Sequence, residues 1–307
     1  MDEKSKGLQA YAQAISCLPP RLTHAALSLP DETRLHAEEL RLRAGRPLYW
    51  CAGGVEHEIA GEPIRTEELR DTLARASRWS VHTYEDPIRQ GYLPLAGGHR
   101  LGVCGTVSME SGRPTGVRTV SSLCLRIARA VPGAAAACLE DIQNGEQVHG
   151  TLILSPPGGG KTTFLRDLIR QLSQQGIRVA VADERGELAA MRGGMPQFDL
   201  GPSCDVLDGC PKAVGALQLV RTMTPRVLAL DEITDPADLD AVRFAANCGV
   251  TVLATIHAAG REELTRKPFF RALCDTGAFT RLVVLTVDGD RHDSRIEHLE
   301  GGKPPCC

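Results

Sequence analysis

The sequence predicts an α/β protein in two parts: a smaller α+β domain over residues 1–130 and a larger domain over residues 150–307, built on a parallel sheet. Three observations predict this. At 307 residues the chain matches two domains of roughly 150 residues each, and either half can bury a core of its own. From His149 onward, short apolar runs alternate with amphipathic stretches, the pattern of strands and helices wound on both faces of a parallel sheet. Between the two parts, residues 131–149 loosen into Val131-Pro132-Gly133, an alanine run and the polar stretch Gln143 to Gln147, which reads as a linker.

In the first part, Leu8 to Leu18 and Glu67 to Ala76 carry apolar residues at helical spacing, while Leu48 to Cys51 and Gly91 to Leu95 read as strands. Gly97-Gly98, set between Tyr92–Leu95 and Arg100–Val103, predicts a hairpin turn.

In the second part, Thr151 to Leu154 is an apolar strand that runs into a glycine-rich loop. Thr162 to Gln174 then puts Leu165, Leu168, Ile169 and Leu172 on one helical face, and Gly176 stops the helix. Four more buried strands follow, at Arg178–Ala182, Val227–Leu230, Val250–Ile256 and Leu282–Val287. Asp235-Pro236-Ala237-Asp238 supplies an N-cap, a proline at the first helical position and an acid in the first turn. Gly249 stands after the end of that helix.

Composition narrows the function classes. Apolar residues at 42% and charged residues at 24% are those of a globular protein, not of a disordered or membrane-embedded chain. A net charge of -3 offers no general attraction to phosphate backbones, and 4% aromatics leave little for base stacking, so nucleic acid is not an expected partner. The first residues lack the apolar core of a signal peptide and no segment nears about 18 consecutive apolar residues, which predicts a cytoplasmic chain. The 11 cysteines are scattered without CxxC spacing and are read as free thiols; Cys306-Cys307 is read as an exposed end.

The chemistry gathers at predicted strand ends. Ser155-Pro156-Pro157-Gly158-Gly159-Gly160-Lys161-Thr162-Thr163 lies between a strand and a helix, the context of a phosphate-binding loop. Glycines let backbone N–H groups turn toward phosphate oxygens, the helix N-terminus adds positive potential, Lys161 neutralises the β and γ oxygens, and Thr162 can ligate Mg²⁺. The pattern GxxxxGK[ST] expects glycine where this chain has Ser155.

Val227 to Leu230 runs into Asp231-Glu232, which places Asp231 to hold Mg²⁺ and Glu232 to orient or deprotonate the attacking water. The second strand ends in Asp183-Glu184-Arg185-Gly186-Glu187, either acids that order metal and water or a self-paired surface cluster. The fourth ends in Thr255-Ile256-His257, a pair able to sense the γ-phosphate.

The run from Ser155 to Leu188, with Asp205-Val206-Leu207-Asp208-Gly209-Cys210-Pro211-Lys212 and Asp231-Glu232-Ile233, resembles the stage III sporulation protein AA family. Glu39 to Leu48 and Gly97 to Gly102 resemble it in the first half, so the likeness spans about Leu35 to Leu299.

The resemblance implies a RecA-like P-loop ATPase domain similar to type II and type IV secretion motors, behind the α+β domain. It also implies use of ATP and Mg²⁺ and assembly into a homo-oligomeric ring, hexameric in such motors. Such a ring would be peripheral to a membrane through channel proteins embedded there, energising transport between mother cell and forespore in endospore formation. By that likeness Asp183, Glu184 and Glu187 match the acidic box, Asp231 and Glu232 the Walker B end, and His257 the histidine box. Arg126 stands where the motors carry an N-domain arginine; Arg100, Arg113 and Arg118 are further candidates for a cation at the γ-phosphate. Three alternatives remain open on the residues alone: a nucleotide-gated interaction protein with little turnover, a RecA-like nucleic-acid translocase, and a small-molecule kinase.

Overall fold

The structure is a computed structural model that describes residues 3–77, 92–110, 113–258, 260–288 and 291–299. Gly91, the first residue of one expected strand, and the Cys306-Cys307 pair lie outside the described residues. The chain divides into two compact units, Met1–Arg129 and Ala130–Cys307.

Unit 1 opens with α1 (Glu3–Ala14), α2 (Pro20–Leu27) and α3 (Asp31–His36). There follow β1 (Glu39–Arg43), β2 (Leu48–Ala52), β3 (Val55–Ile59), α4 (Thr66–Ser77), β4 (Tyr92–Pro94), β5 (Arg100–Glu110) and β6 (Arg113–Arg126). The strands form one antiparallel sheet in the order β3-β2-β1-β6-β5-β4. Strict alternation in Glu39-Leu40-Arg41-Leu42-Arg43 decides its faces: Leu40 and Leu42 are fully buried with Tyr11, Ile15, Leu22 and Leu69, and the charged residues point the other way. A two-pronged ion pair from Arg21 to Glu68, at 2.7 and 2.6 Å, ties α2 to α4. The predicted hairpin joins β4 to β5 through a turn at Ala96–Gly98.

The segment 131–149, expected as a linker, packs into unit 2 instead. Ala135, Cys138 and Ile142 are buried in its core, the Ala135 N–H donates to Asp167 Oδ2 at 2.9 Å, and the segment forms α5 (Leu139–Ile142) and a small hairpin of β7 (Gln143–Asn144) with β8 (Gln147–Val148). Its alanines have no helical or strand period, yet small side chains allow close packing against a sheet.

The remaining elements are β9 (Thr151–Ser155), α6 (Lys161–Gln174), β10 (Val179–Asp183), β11 (Cys204–Asp208), α7 (Lys212–Met223), β12 (Val227–Leu230), α8 (Pro236–Asn247), β13 (Thr251–His257), α9 (Arg261–Arg266), α10 (Pro268–Cys274), β14 (Arg281–Asp288) and β15 (Arg291–His298). The sheet runs β11-β10-β12-β13-β9-β14-β15, parallel except for the last pair. Alternate residues of each strand feed two cores. Leu152, Leu154, Leu228 and Leu230 meet Val242, Ala245 and Leu273 on one face; Ile153, Val179, Val181 and Ala229 meet Leu165, Leu168, Ile169 and Leu172 on the other. Asp235 caps α8 as predicted, and Asp238, the acid expected in the first turn, answers it in a reciprocal cap. Among the described residues no helix is long and apolar enough to cross a membrane, and the cysteines are free.

One buried ionisable group gives unit 1 a pH dependence. His99 is 1% exposed, its Nδ1 accepts the Ala128 N–H at 3.0 Å, and burial, aided by the Arg129 charge, pushes its pKa down to about 4 from 6.5. The unfolded chain therefore binds a proton that the folded chain refuses between those values. Stability is full above about pH 6.5 and falls by on the order of 3 kcal/mol on descent to pH 4. Both tryptophans, Trp50 and Trp79, lie before residue 129, so tryptophan fluorescence reads unit 1. Thermal melts followed this way should lose midpoint steadily from pH 7 to 4.5, and His99→Asn should flatten that loss.

Candidate functional site

Parallel strands deliver their carboxyl ends to one edge of a sheet, and that edge is where α/β proteins bind ligands. Here Ser155 ends β9, Asp183 ends β10, Asp231 follows β12 and His257 ends β13. Register places His257 directly beside Ser155 and Asp183 beside Asp208.

The loop after β9 is shaped by Gly158 (φ 75°) and Gly160 (φ 84°), both in the left-handed region that favours glycine. Gly160 is the residue before α6, so Lys161 and Thr162 open the helix. Pro156, Pro157 and Gly159 complete the loop, and Thr163 is the third residue of α6. The departure from the usual pattern is accommodated inside the loop. Ser155 is 1% exposed, and its hydroxyl donates to Pro156 O at 2.7 Å and faces Lys161 Nζ at 3.4 Å. The serine leans into the space above Gly159, where a β-carbon would lie 2.5 Å from Ser155 Oγ and 2.8 Å from Ser155 Cβ.

Two networks meet around this loop. In the first, Asp231 accepts from Thr162 Oγ1 at 2.9 Å and from Thr255 Oγ1 at 2.5 Å. Burial raises the Asp231 pKa; the two hydroxyls oppose the rise, and the charges of Glu187 and Asp183 add to it. In the second, Lys161 Nζ stands 2.9 Å from His257 Nδ1, and His257 Nε2 stands 3.0 Å from Glu232 Oε1. With the ammonium donating to Nδ1, the ring proton sits on Nε2 and donates to the glutamate. The other oxygen of Glu232 accepts from Arg185 at 2.6 Å. Lys161 is 6% exposed; burial lowers its pKa while Asp231, Glu232 and Glu187 oppose the shift.

Glu232 itself has φ 52°, a left-handed conformation that costs a non-glycine residue on the order of 1–3 kcal/mol. Its N–H donates to Thr255 Oγ1 at 2.7 Å and its carbonyl accepts from Lys212 Nζ at 2.9 Å.

The acids after β10 divide. Asp183 is 1% exposed and spends both oxygens on the backbone N–H groups of Glu187, Leu188 and Ala189, at 2.8 to 3.3 Å. These bonds hold the 187–189 turn against the end of β10. Glu184 lies 3.5 Å from Lys212 Nζ. Glu187 is close enough for its charge to act on both Lys161 and Asp231. Arg185 reaches across to Glu232 Oε2 at 2.6 Å. In unit 1, Arg126 and Arg100 are cross-strand partners on β6 and β5. Arg126, with its side chain 65% exposed, pairs with Glu39 at 3.4 Å, and the Arg100 guanidinium lies 4.7 Å from the centre of the Tyr92 ring.

Residues 20–299, most of the chain, match the family described as sporulation stage III, protein AA. The chain belongs to that family. Stage III sporulation protein AA of Bacillus subtilis (strain 168) is 36% identical to this family member over 281 residues, covering 88% of this chain and 89% of that protein. Among solved structures, the ATPase DotB of Legionella pneumophila superposes with a TM-score of 0.58 at 17% identity, over 91% of this chain and 79% of that one. The pilus retraction motor PilT with bound ADP gives 0.56 at 15% identity, over 86% and 79%. At these identities the likeness shows the fold: the parallel-sheet domain of secretion ATPases preceded by an α+β region, as the sequence predicts for this family.

Lys212 and the bridging role of Thr255 were not derivable from strand patterns. Lys212 opens α7 just after the edge strand β11, which has no continuous apolar run, and only the fold brings it to Glu232.

The fit between Ser155 and Gly159 is testable without any ligand. Gly159→Ala must displace the Ser155 side chain, including a β-carbon that cannot rotate away, and should destabilise unit 2 by about 1–3 kcal/mol. That is roughly 2–12 °C in the melting transition invisible to tryptophan fluorescence, followed by circular dichroism. Ser155→Gly combined with Gly159→Ala should recover most of it.

Proposed function

We propose that this protein is an ATPase that uses Mg²⁺, works as a ring-shaped homo-oligomer together with membrane-embedded channel proteins, and energises transport during endospore formation. The observation that carries the reading is the meeting of Lys161, Thr162, Asp231 and Glu232 at one sheet edge, joined by hydrogen bonds of 2.9 to 3.0 Å directly or through His257. Family membership and the secretion-ATPase fold support it.

The donor set suits a hard cation. Thr162 Oγ1 and the Asp231 carboxylate converge at 2.9 Å, and Asp231 is a buried acid whose ionised form gains from a nearby positive charge. Mg²⁺, when bound, neutralises the β and γ oxygens of the nucleotide. The chain's own residues do the rest. The loop amides and Lys161 hold phosphate, which requires Lys161 to leave His257. Glu232, its carboxylate fixed by His257 and Arg185, orients the attacking water and accepts its proton. Glu184 and Glu187 shape the field around that water.

Unit 2 already carries Arg185 and Lys212 around Glu232, so an arginine from the N-terminal unit adds to cations present at the site. Arg126, then Arg100, are proposed as cations delivered by a second copy, in addition to Arg185. Mixing Arg126→Ala with Lys161→Ala chains tests this. Partial recovery of ATPase activity in the mixture is expected, and wild-type turnover by Arg126→Ala alone would remove the residue.

One observation favours a second reading, a nucleotide-gated interaction protein with little turnover: both carboxylate oxygens of Glu232 are engaged, by His257 and Arg185, so water has to compete for them. Steady-state ATPase activity separates the two. Lys161→Ala should abolish nucleotide binding, whereas Glu232→Gln should keep binding and lower turnover by about 10²–10⁴-fold, the range for loss of a general base. Equal turnover in Glu232→Gln and wild type would overturn the assignment.

A further inference from the structure

Glu232 is gripped on both sides of its backbone. Its N–H donates to Thr255 Oγ1 at 2.7 Å, its carbonyl accepts from Lys212 Nζ at 2.9 Å, and the next amide, Ile233 N, donates to Thr255 O at 2.9 Å. None of the three is required to build the sheet, since β12 already ends at Leu230. Thr255 is fully buried and its single hydroxyl proton goes to Asp231 Oδ1, so the lone pairs of the same oxygen face the Glu232 amide. Valine in its place would leave both the amide and the carboxylate short of a partner; serine would leave neither so.

Lys212 is anchored in turn. Its side chain is 12% exposed and its ammonium stands 3.7 Å from Asp238 and 3.5 Å from Glu184. The Asp238 carboxylate accepts from Thr234 N at 2.9 Å and Asp235 N at 3.0 Å. The start of α7, the cap of α8 and the turn after β12 are thereby held as one body, with Glu232 at its centre. Left-handed backbone in a residue with a β-carbon persists only where the surroundings over-determine it, and these contacts are what over-determines Glu232.

We propose that Thr255 and Lys212 are positioning residues for hydrolysis: together they hold the Glu232 backbone in its left-handed conformation, and that conformation carries the carboxylate to His257 and the phosphate loop. The proposal rests on the ATPase reading for its consequence and on the backbone geometry for its cause, and the two are separable by experiment.

The consequence is read in Thr255→Val, Thr255→Ser and Lys212→Met. A catalytic carboxylate displaced by about 1 Å loses on the order of 10²-fold, so Thr255→Val and Lys212→Met should each lower kcat by roughly 10- to 100-fold. In Lys212→Met, which leaves the Asp231 contacts intact, affinity for a fluorescent ATP analogue should stay within about threefold, since a group that acts on water rather than on bound phosphate changes kcat and not binding. Thr255→Ser should restore kcat to near the wild-type value, which a loss of packing alone would not permit.

The cause is read without activity. In the left-handed region glycine escapes the penalty that alanine bears, so Glu232→Gly should melt a few degrees above Glu232→Ala. That gap should shrink once Thr255→Val lets the backbone relax. Wild-type kcat in both Thr255→Val and Lys212→Met would overturn the proposal, as would nucleotide affinity falling in step with kcat in Lys212→Met and no recovery in Thr255→Ser. So would Glu232→Ala melting as high as Glu232→Gly. Should the wild-type chain hydrolyse no ATP, the ATPase reading fails, and the glycine–alanine comparison still decides whether the backbone is held; it also decides the matter if Thr255→Val does not fold.

Discussion

The buried carboxylate of Asp231 is the constraint around which unit 2 is arranged. An acid at the end of a core strand must find hydrogen-bond donors or lose its charge, and Asp231 finds one hydroxyl on α6 and another on β13. That pairing fixes how the phosphate loop's helix, the strand carrying Asp231 and the strand carrying His257 sit against one another. Thr255 extends the same constraint to the Glu232 amide, so Asp231 and Glu232 are two ends of one hydrogen-bond chain.

The second chain runs from Lys161 to His257 to Glu232 to Arg185. On the proposed nucleotide reading, phosphate competes with His257 for Lys161. Whatever draws Lys161 away alters the partner that holds one oxygen of Glu232, so binding at the loop and the poise of the base are linked. A ligand moves such an equilibrium only by its differential affinity for the two arrangements, and here the contact that differs is a named one. Unit 1 is organised on separate terms, by a two-faced antiparallel sheet whose apolar side is closed by helices and whose other side carries Arg41, Arg43, Arg100 and Arg126.

The parts legible in the sequence were those with strong local signals. The five strands with continuous apolar runs, the loop between β9 and α6, and the cap at Asp235 were all readable because each is dictated by residues near in sequence. The edge strands β11 and β15 were not, since Cys204–Asp208 and Arg291–His298 break up their apolar residues with charged ones. Residues 131–149 were misread for the converse reason, as apolar content without period looks like a linker until a sheet is there to receive it. At the site, position at a strand end located Asp231, Glu232 and His257, but partnership was invisible. Asp183 turned inward to backbone amides, Arg185 crossed to the next strand, and Lys212 arrived from an edge, all decided by tertiary packing.

The claim that these networks form a nucleotide site is tested most directly by the melting temperature of unit 2 in ATP with and without Mg²⁺. Ligand at 100 times its dissociation constant stabilises by about 2.7 kcal/mol, and a domain of this size gains roughly 2–4 °C per kcal/mol. The account predicts a rise of that order with Mg²⁺ and ATP together, a smaller one with ATP alone, and none in the transition seen by tryptophan fluorescence. No shift at millimolar ATP with Mg²⁺ would contradict it.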